Sequence, residues 1–306
     1  MKHLIETTDL NSLPIVEYDR LILDSTENKI IYRGGVNTNG HSYVDLGLSS
    51  GLKWAKCNIG ATSETEDGDY FQWGETTSDT VYDWAHYKYC NGSSTTMTKY
   101  CTNSSYGTVD NKTTLEPEDD AAIQNLRSQS GHEEARMPTA SEYQTLYNET
   151  LWVWCPGGNV GIKKTDEGGN ESIEYIAYPK GYFVFKTNSD KRRRGTFTKD
   201  ENGNLIGYTA TSGTVYYPGA HEVTEGDITS IADSDTHIFF PASGGANGTE
   251  VNSRNLYVDY WSSSLRPTDS RHGLHLGSHS SSVSPQNADG IRHRGFCVRS
   301  VLENLS

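Results

Sequence analysis

The stretch "YWSSSLRPTDSRHGLHLGSHSSSVSPQNADGIRHRGFCVRSV", residues 260–301, sets two kinds of sequence side by side. Its ends, Tyr260-Trp261-Ser262 and Gly295-Phe296-Cys297-Val298-Arg299, read as strands with apolar residues spaced to face a core. The interior is different. Between Leu265 and Arg294 stand six Ser, four Arg and four of the chain's ten His, with no Lys, Glu or Met and one Gln, Gln286. Within it "HGLHL" alternates, which directs Leu274 and Leu276 inward and His275 outward, while Val283 and Phe296 anchor the far strands. Short polar groups lose little entropy on binding, and Arg and His add donors. On a rigid frame they make an adaptable contact surface.

Upstream, the chain alternates between strand patterns and turns. "SYVDLGLSSGLKWAKCNIG" predicts strand–turn–strand around Ser49-Ser50-Gly51, and "GDYFQWGET" (68–76) precedes a long Ser/Thr/Tyr-rich stretch. "EPEDDAAIQNLR" predicts a helix with Pro117 in its first turn and acidic residues at the positive end of the dipole. "RMPTASEYQTLYNE" predicts a helix to about Glu149, opened by a Thr139/Glu142 capping box. "GTFTKDENGNLIGYT" reads as a hairpin turning at Asn202-Gly203, and "THIFFPASGG" (236–245) as a buried strand ending at Pro241. Strands, two short helices and then many strands give an α+β class with an antiparallel sheet. Residues 1–40 stand apart: "YDRLILD" (18–24) and "KIIYRGG" (29–35) predict a hairpin. Two strands alone are marginal in water, so this hairpin is expected to dock on the main domain or on other chains. The main domain is expected over 41–306, with an insertion at about 157–235.

The chain has 306 residues, 34% of them apolar, with 30 Gly, 19 Tyr and 6 Trp, and a net charge of −14. That acidity excludes a general nucleic-acid binder, whose affinity rests on a basic footprint. The one dense basic run, Arg192-Arg193-Arg194 after Lys191, reads as a solvated loop tip. No segment has the ~20 apolar residues of a membrane span, and the N-terminus lacks the apolar core of a secretory signal. Cys57, Cys90, Cys101, Cys155 and Cys297 show no metal-type spacing and read as reduced, buried thiols. No cofactor or metal is expected.

Six phrases occur in order: "VDLGLSSGLKWAKCNIGA", "GDYFQWGET", "ARMPTASEYQTL", "IFFPASGG", "YWSSS" and "GFCVRSV". Over about residues 41–302 the chain resembles the C-type-lectin-fold target proteins of diversity-generating retroelements, carried by bacteria and their phages. The broader kinship is with the formylglycine-generating-enzyme-like lectin superfamily. The resemblance implies a C-type lectin fold whose last strands and loops, about 255–294, form a variable region diversified by adenine-directed mutagenesis. From an asparagine codon such mutagenesis cannot reach Lys, Glu, Gln, Met or Trp, which accounts for the vocabulary of 265–294. It implies a non-catalytic receptor-binding protein, a phage tail-tip adhesin carried on the virion after cytoplasmic synthesis. An undiversified adhesin of the bacterial surface is the alternative. Partners are then a host-surface protein or glycan at the variable face, and sister chains or tail proteins at residues 1–40.

Alternation places Tyr257, Asp259, Arg266, Asp269, Arg271, His275, His279, Ser282, Asn287, Asp289, His293 and Arg294 outward as one contiguous face. Trp54, Trp73 and Trp261 are expected to hold the scaffold beneath it. Two rival chemistries fit less well. The formylglycine-generating enzymes use reactive cysteines late in the chain, but Cys297 stands alone on a strand that reads as buried. Calcium-dependent sugar-binding lectins use Glu-Pro-Asn or Gln-Pro-Asp with Trp-Asn-Asp, whereas Trp261 is followed by two serines and "EDGD" (66–69) is calcium-like in composition only. The acidic turn Glu64, Glu66, Asp67 and Asp69 reads as exposed.

Overall fold

The computed structural model describes residues 21–24, 29–32, 42–129, 131–165, 170–185, 195–199, 201–210, 215–217, 221–222, 232–233 and 237–303. The run Arg192–Arg194 lies outside them. Strands β1 (Leu21–Asp24) and β2 (Lys29–Tyr32) pair antiparallel as a two-stranded sheet of their own, the hairpin the sequence predicts. Strands β3 (Tyr43–Asp45) and β4 (Lys53–Ala55) follow, joined through Ser49-Ser50, with the Gly51 amide donating to the Leu48 carbonyl (2.9 Å). After a long irregular stretch come helix α1 (Ala121–Leu126), strand β5 (Ala135–Arg136) and helix α2 (Ala140–Glu149).

The capping box of α2 is present as the sequence predicts, with Thr139 and Glu142 satisfying each other's backbone amides. The first helix is shorter than predicted. Pro117–Asp119 form a 3₁₀ turn, and the α-helix starts only at Ala121. Asp120 is the reason. Its backbone is extended, and its carboxylate accepts from the amides of Ala122 (2.8 Å) and Ile123 (3.0 Å), so it is the cap and cannot also be mid-helix.

Strands β6 (Leu151–Thr165) and β7 (Glu171–Phe185) form a long hairpin whose base is buried from Leu151 to Val153, at Cys155 and from Tyr182 to Phe185. The region read as an insertion continues this hairpin outward. It adds β8 (Gly195–Lys199), β9 (Leu205–Ala210), β10 (Val215–Tyr217), β11 (His221–Glu222) and β12 (Ala232–Asp233) to the same sheet. β8 and β9 turn at Gly203 (φ +83°), the hairpin anticipated at Asn202-Gly203. β13 (His237–Pro241) returns, wholly buried, against the base of β7. A small hairpin, β14 (Gly245–Asn247) and β15 (Glu250–Asn252), precedes the three-stranded antiparallel sheet β16 (Tyr257–Leu265), β17 (His272–His279) and β18 (Ser282–Ile291), with β17 in the middle. β19 (Val301–Leu302) closes the chain between β4 and β5. The class is thus mostly antiparallel β with two helices among the described residues, none of them long and apolar enough to cross a membrane.

The terminal motif "GFCVRSV" is the hub of the body. Every residue from Gly295 to Val301 is buried. Phe296 exchanges backbone hydrogen bonds with Phe71 (3.0 Å each way), the Cys297 carbonyl accepts from the Trp261 amide (3.1 Å), and the Val298 carbonyl accepts from Ile59 (3.0 Å). Arg299 is fully buried without a carboxylate. Its guanidinium donates to Asn58 Oδ1 (2.8 Å) and to the carbonyls of Ala55 (2.8 Å), Lys56 and Phe239 (2.8 Å). Val301 pairs with Trp54 and with Arg136. One seven-residue segment therefore touches each of the other five phrases of the sequence pattern. All five cysteines are free and buried, and burial pushes the Cys297 thiol up to about 12.

Candidate functional site

Pairing fixes which residues share a face of β16–β17–β18, because directly opposed residues of an antiparallel pair project to the same side. Val258, Tyr260, Leu276 and Val283 lie on the inner side and join the main core. The outer side carries Tyr257, His279 and Ser282 in one cross-strand row, then Asp259, Gly277 and Ser284, then Trp261, His275 and Asn287. Six of the twelve candidate residues thus come together on one face, and Tyr257 is well exposed there at 44%.

His275 corrects the alternation argument. It does take the outer side, but it is buried, 3% exposed, with its ring 5.8 Å from Trp261 and 4.9 Å from Phe296. Leu276 enters the core as expected, whereas Leu274 stays half-exposed. The cause is that β17 is covered on both sides: Phe296 of the terminal hub roofs the outer face at this row. Two glycines make room. A side chain at Gly290 meets Trp261 at 2.5 Å and His275 Nδ1 at 2.8 Å, and one at Gly277 meets Asn287 Nδ2 at 2.4 Å. Period-two patterning reports which side a residue faces but not whether a third layer lies on top.

The remaining candidates divide. Arg266, Asp269 and Arg271 lie in the β16–β17 connection, at the other end of the sheet from Tyr257 and His279. There Arg271 grips Asp269 through two hydrogen bonds (2.9 and 2.7 Å) and stacks over Tyr106 (4.7 Å), so this pair braces the loop. The Arg271 guanidinium holds the Asp269 carboxyl down at about 2. His293 turns against the body, its ring 4.7 Å from Trp84 and its Nδ1 3.2 Å from the Tyr82 carbonyl. The side chain of Asp289 lies outside the described residues. The single contiguous face expected from the sequence is therefore a smaller one, with Arg266, Asp269 and Arg271 set apart from it.

Arg294, on the turn after β18, lines a cleft of about 230 Å³ together with Asp259, Gly245, Asn247, Asn252 and Ser253, and Phe296 is the apolar residue of the lining. The β14–β15 hairpin is held there by Ala246 and Gly295, which exchange backbone hydrogen bonds (2.7 and 3.0 Å). Gly245 is needed for this approach, since a Cβ on it comes 2.4 Å from the Phe296 ring. Arg294 Nε is buried with no hydrogen-bond partner among the described residues, and Asp259 Oδ1 lies 3.5 Å from His275 Nε2. Val251 in β15 and Leu256 in the following loop are 42% and 57% exposed. The sequence reading missed this hairpin because its short, exposed strands carry no apolar alternation.

Arg292 was also missed, and it decides how the site is held. Its side chain is fully buried. Nε donates to the Tyr87 hydroxyl (2.7 Å), Nη1 to the carbonyls of Ser270 (2.9 Å) and Tyr100 (3.1 Å), and Nη2 to that of Lys99 (3.1 Å). It lies 4.9 Å over Trp73. This one side chain ties the end of β18 to the irregular region 84–115.

The acidic groups are occupied. Glu116, Glu118 and Asp119 converge as a metal-type trio, but Lys99 Nζ reaches all three (2.6, 3.4 and 2.5 Å), and Lys112 reaches Glu116 (2.5 Å). In the turn read as exposed, Glu66 and Asp69 are exposed, whereas Asp67 pairs with Arg254 (2.6 Å) and the half-buried Glu64 meets His237 (3.3 Å) and the Tyr178 hydroxyl. No protein-family model, curated protein or solved structure matches this chain.

These burials set a pH response. Desolvation lowers the pKa of His132, His272 and His293 below 6.5, so the folded state takes up their protons later than the unfolded chain. Their contribution is present above 6.5 and declines as pH falls below it. Burial works to raise Glu64, but His237, Lys56 and Tyr178 outweigh it and hold it at about 2. Its contribution persists above 4.5 and is lost as pH drops toward 2. The exposed His86, raised beside Asp83, has the opposite sign but is screened by water. Tm measured from pH 8 to 3 is expected to fall in two stages, one beginning near 6.5 and one near 4.5. A flat Tm between pH 7 and 5 refutes the histidine part.

Proposed function

We propose that this chain is a non-catalytic ligand-binding protein with a C-type lectin fold, of the type diversified by retroelements, acting as a phage receptor-binding or tail-tip adhesin. The observation that carries the reading is the separation of vocabularies. The restricted polar set of 265–294 and its neighbours Tyr257 and Asp259 supply an outward face, while Trp54, Trp73, Trp261 and Arg299 of the surrounding frame are wholly buried. The meeting of all six phrases at "GFCVRSV" supports the fold assignment, since phrases matched by chance have no reason to share one hub. The protonated, buried Cys297 does not favour the thiol chemistry of the wider superfamily, because the thiolate is the nucleophile.

The outer face presents hydrogen-bonding groups around an aromatic, Tyr257, the kind of residue that dominates contact energies. The test is a segment exchange. Residues 255–294 are replaced by a differently composed segment that keeps Val258, Tyr260, Trp261, Gly273, Leu276, Gly277, Gly290 and Arg292, and binding to host cells is scored. Loss or redirection of binding is expected, and wild-type binding is expected to persist in a chelator. Unchanged host binding after the exchange overturns the reading. A near-copy of the codons for 255–299 beside a reverse-transcriptase gene distinguishes the diversified protein from a fixed surface adhesin.

A further inference from the structure

We infer that the cleft between Arg294 and Asp259 receives an acidic sugar residue, a single unit carrying a carboxylate beside ring hydroxyls. The inference rests on the binding-face reading and narrows its ligand. Arg294 and Asp259 line one small cleft as opposite charges, yet they form no ion pair with each other; the ring nitrogen Nε2 of His275 lies 3.5 Å from Asp259 Oδ1. A carboxylate is the two-point partner that the planar guanidinium of a cleft-lining arginine takes.

The rest of the lining selects among carboxylates. Asn247, Asn252 and Asp259 offer both donors and acceptors, which suits a polyol more than an amino-acid side chain or a fatty acid. Phe296 gives one apolar surface for the ring. At about 230 Å³ the cleft is smaller than the ~300–1,000 Å³ typical of pockets for drug-sized ligands, so it admits one unit of a glycan. The net charge of −14 opposes an anion at long range, but at physiological salt that field is screened over about 8 Å and the local guanidinium decides.

The experiment is ligand-observed NMR on the full chain with glucuronate, galacturonate, N-acetylneuraminate, glucose, glucosamine and N-acetylglycine. At least one acidic sugar is expected to bind tenfold or more tighter than glucose and glucosamine, and tighter than N-acetylglycine. Arg294→Gln should lower that affinity at least tenfold, Arg294→Lys less, and Asp259→Asn severalfold, each with a Tm within a few degrees of wild type. Absence of binding by all three acids overturns the inference, as does equal binding of glucose or N-acetylglycine, or an Arg294→Gln variant with wild-type affinity. If these fail while the segment exchange still redirects host binding, the acidic-sugar assignment falls and the binding-face reading stands. If the exchange changes nothing, the binding-face reading itself falls.

Discussion

Arg292→Ala is expected to lower the unfolding free energy by about 4 kcal/mol, a drop in Tm on the order of 10 °C for a chain of this size. The substitution leaves the Tyr87 hydroxyl and the carbonyls of Lys99, Tyr100 and Ser270 without their shared donor, all in an interior where Trp73 and Tyr100 are fully buried. Each unpaired buried acceptor costs about 1–3 kcal/mol, and relief from burying a guanidinium offsets part of the sum. Arg292→Lys keeps the charge but reaches fewer of the four acceptors, so it should recover less than half of the loss. Chemical denaturation of the three proteins decides the matter. A loss under about 1 kcal/mol shows that water repairs these contacts and that Arg292 is not part of the frame. The functional consequence is direct: Arg292 lies inside the segment read as diversified, yet it is part of the frame.

Trp261→Ala should cost roughly 3–5 kcal/mol. The indole is fully buried between the hub and the sheet: Nε1 donates to the Phe71 carbonyl (2.7 Å), and the ring lies 4.4 Å from Phe296. Its removal opens a cavity and takes one of two donors from the Phe71 carbonyl, which keeps the Phe296 amide. The outer-face triple Tyr257→Ser, His279→Ser and Ser282→Ala should change stability by less than ~0.5 kcal/mol per site. His275→Ser should fall between, at about 1–3 kcal/mol, because the imidazole fills the space left by Gly277 and Gly290. Trp261 shares its side of β16 with Tyr257, so comparable losses for Trp261→Ala and the outer-face triple mean that Phe296 does not divide that side into a roofed part and an open part.

How much of this was legible in the sequence follows the range of the forces involved. Local chemistry writes local signals. The Thr139/Glu142 box, the turn at Gly203 and the buried β13 could each be read within a dozen residues, and each is present. "GFCVRSV" is central and buried as expected, but the strand read there is a run of single bridges buried on every side, without alternation. The α1 start was misplaced because Pro117 and Asp120 both carry helix-opening chemistry, and only the extended backbone of Asp120 shows which of them caps the helix.

The site was legible only in part. Composition marked the segment 265–294 as a surface, and alternation placed Tyr257, Asp259, His279 and Ser282 on one side of it. What the sequence could not contain was the third layer. The burial of His275 comes from Phe296, 21 positions on, and Arg292 is buried by Tyr87 and Lys99, about 200 positions back. The cleft joins Arg294 to a hairpin some 45 positions upstream through a pair of glycine-enabled close approaches. By itself the sequence determined the strands, the turns, the caps and the polar character of the face, since these depend on neighbours along the chain. Tertiary structure alone decided which polar residues are free to meet a ligand and which are frame, because desolvation depends on what the rest of the chain lays over them.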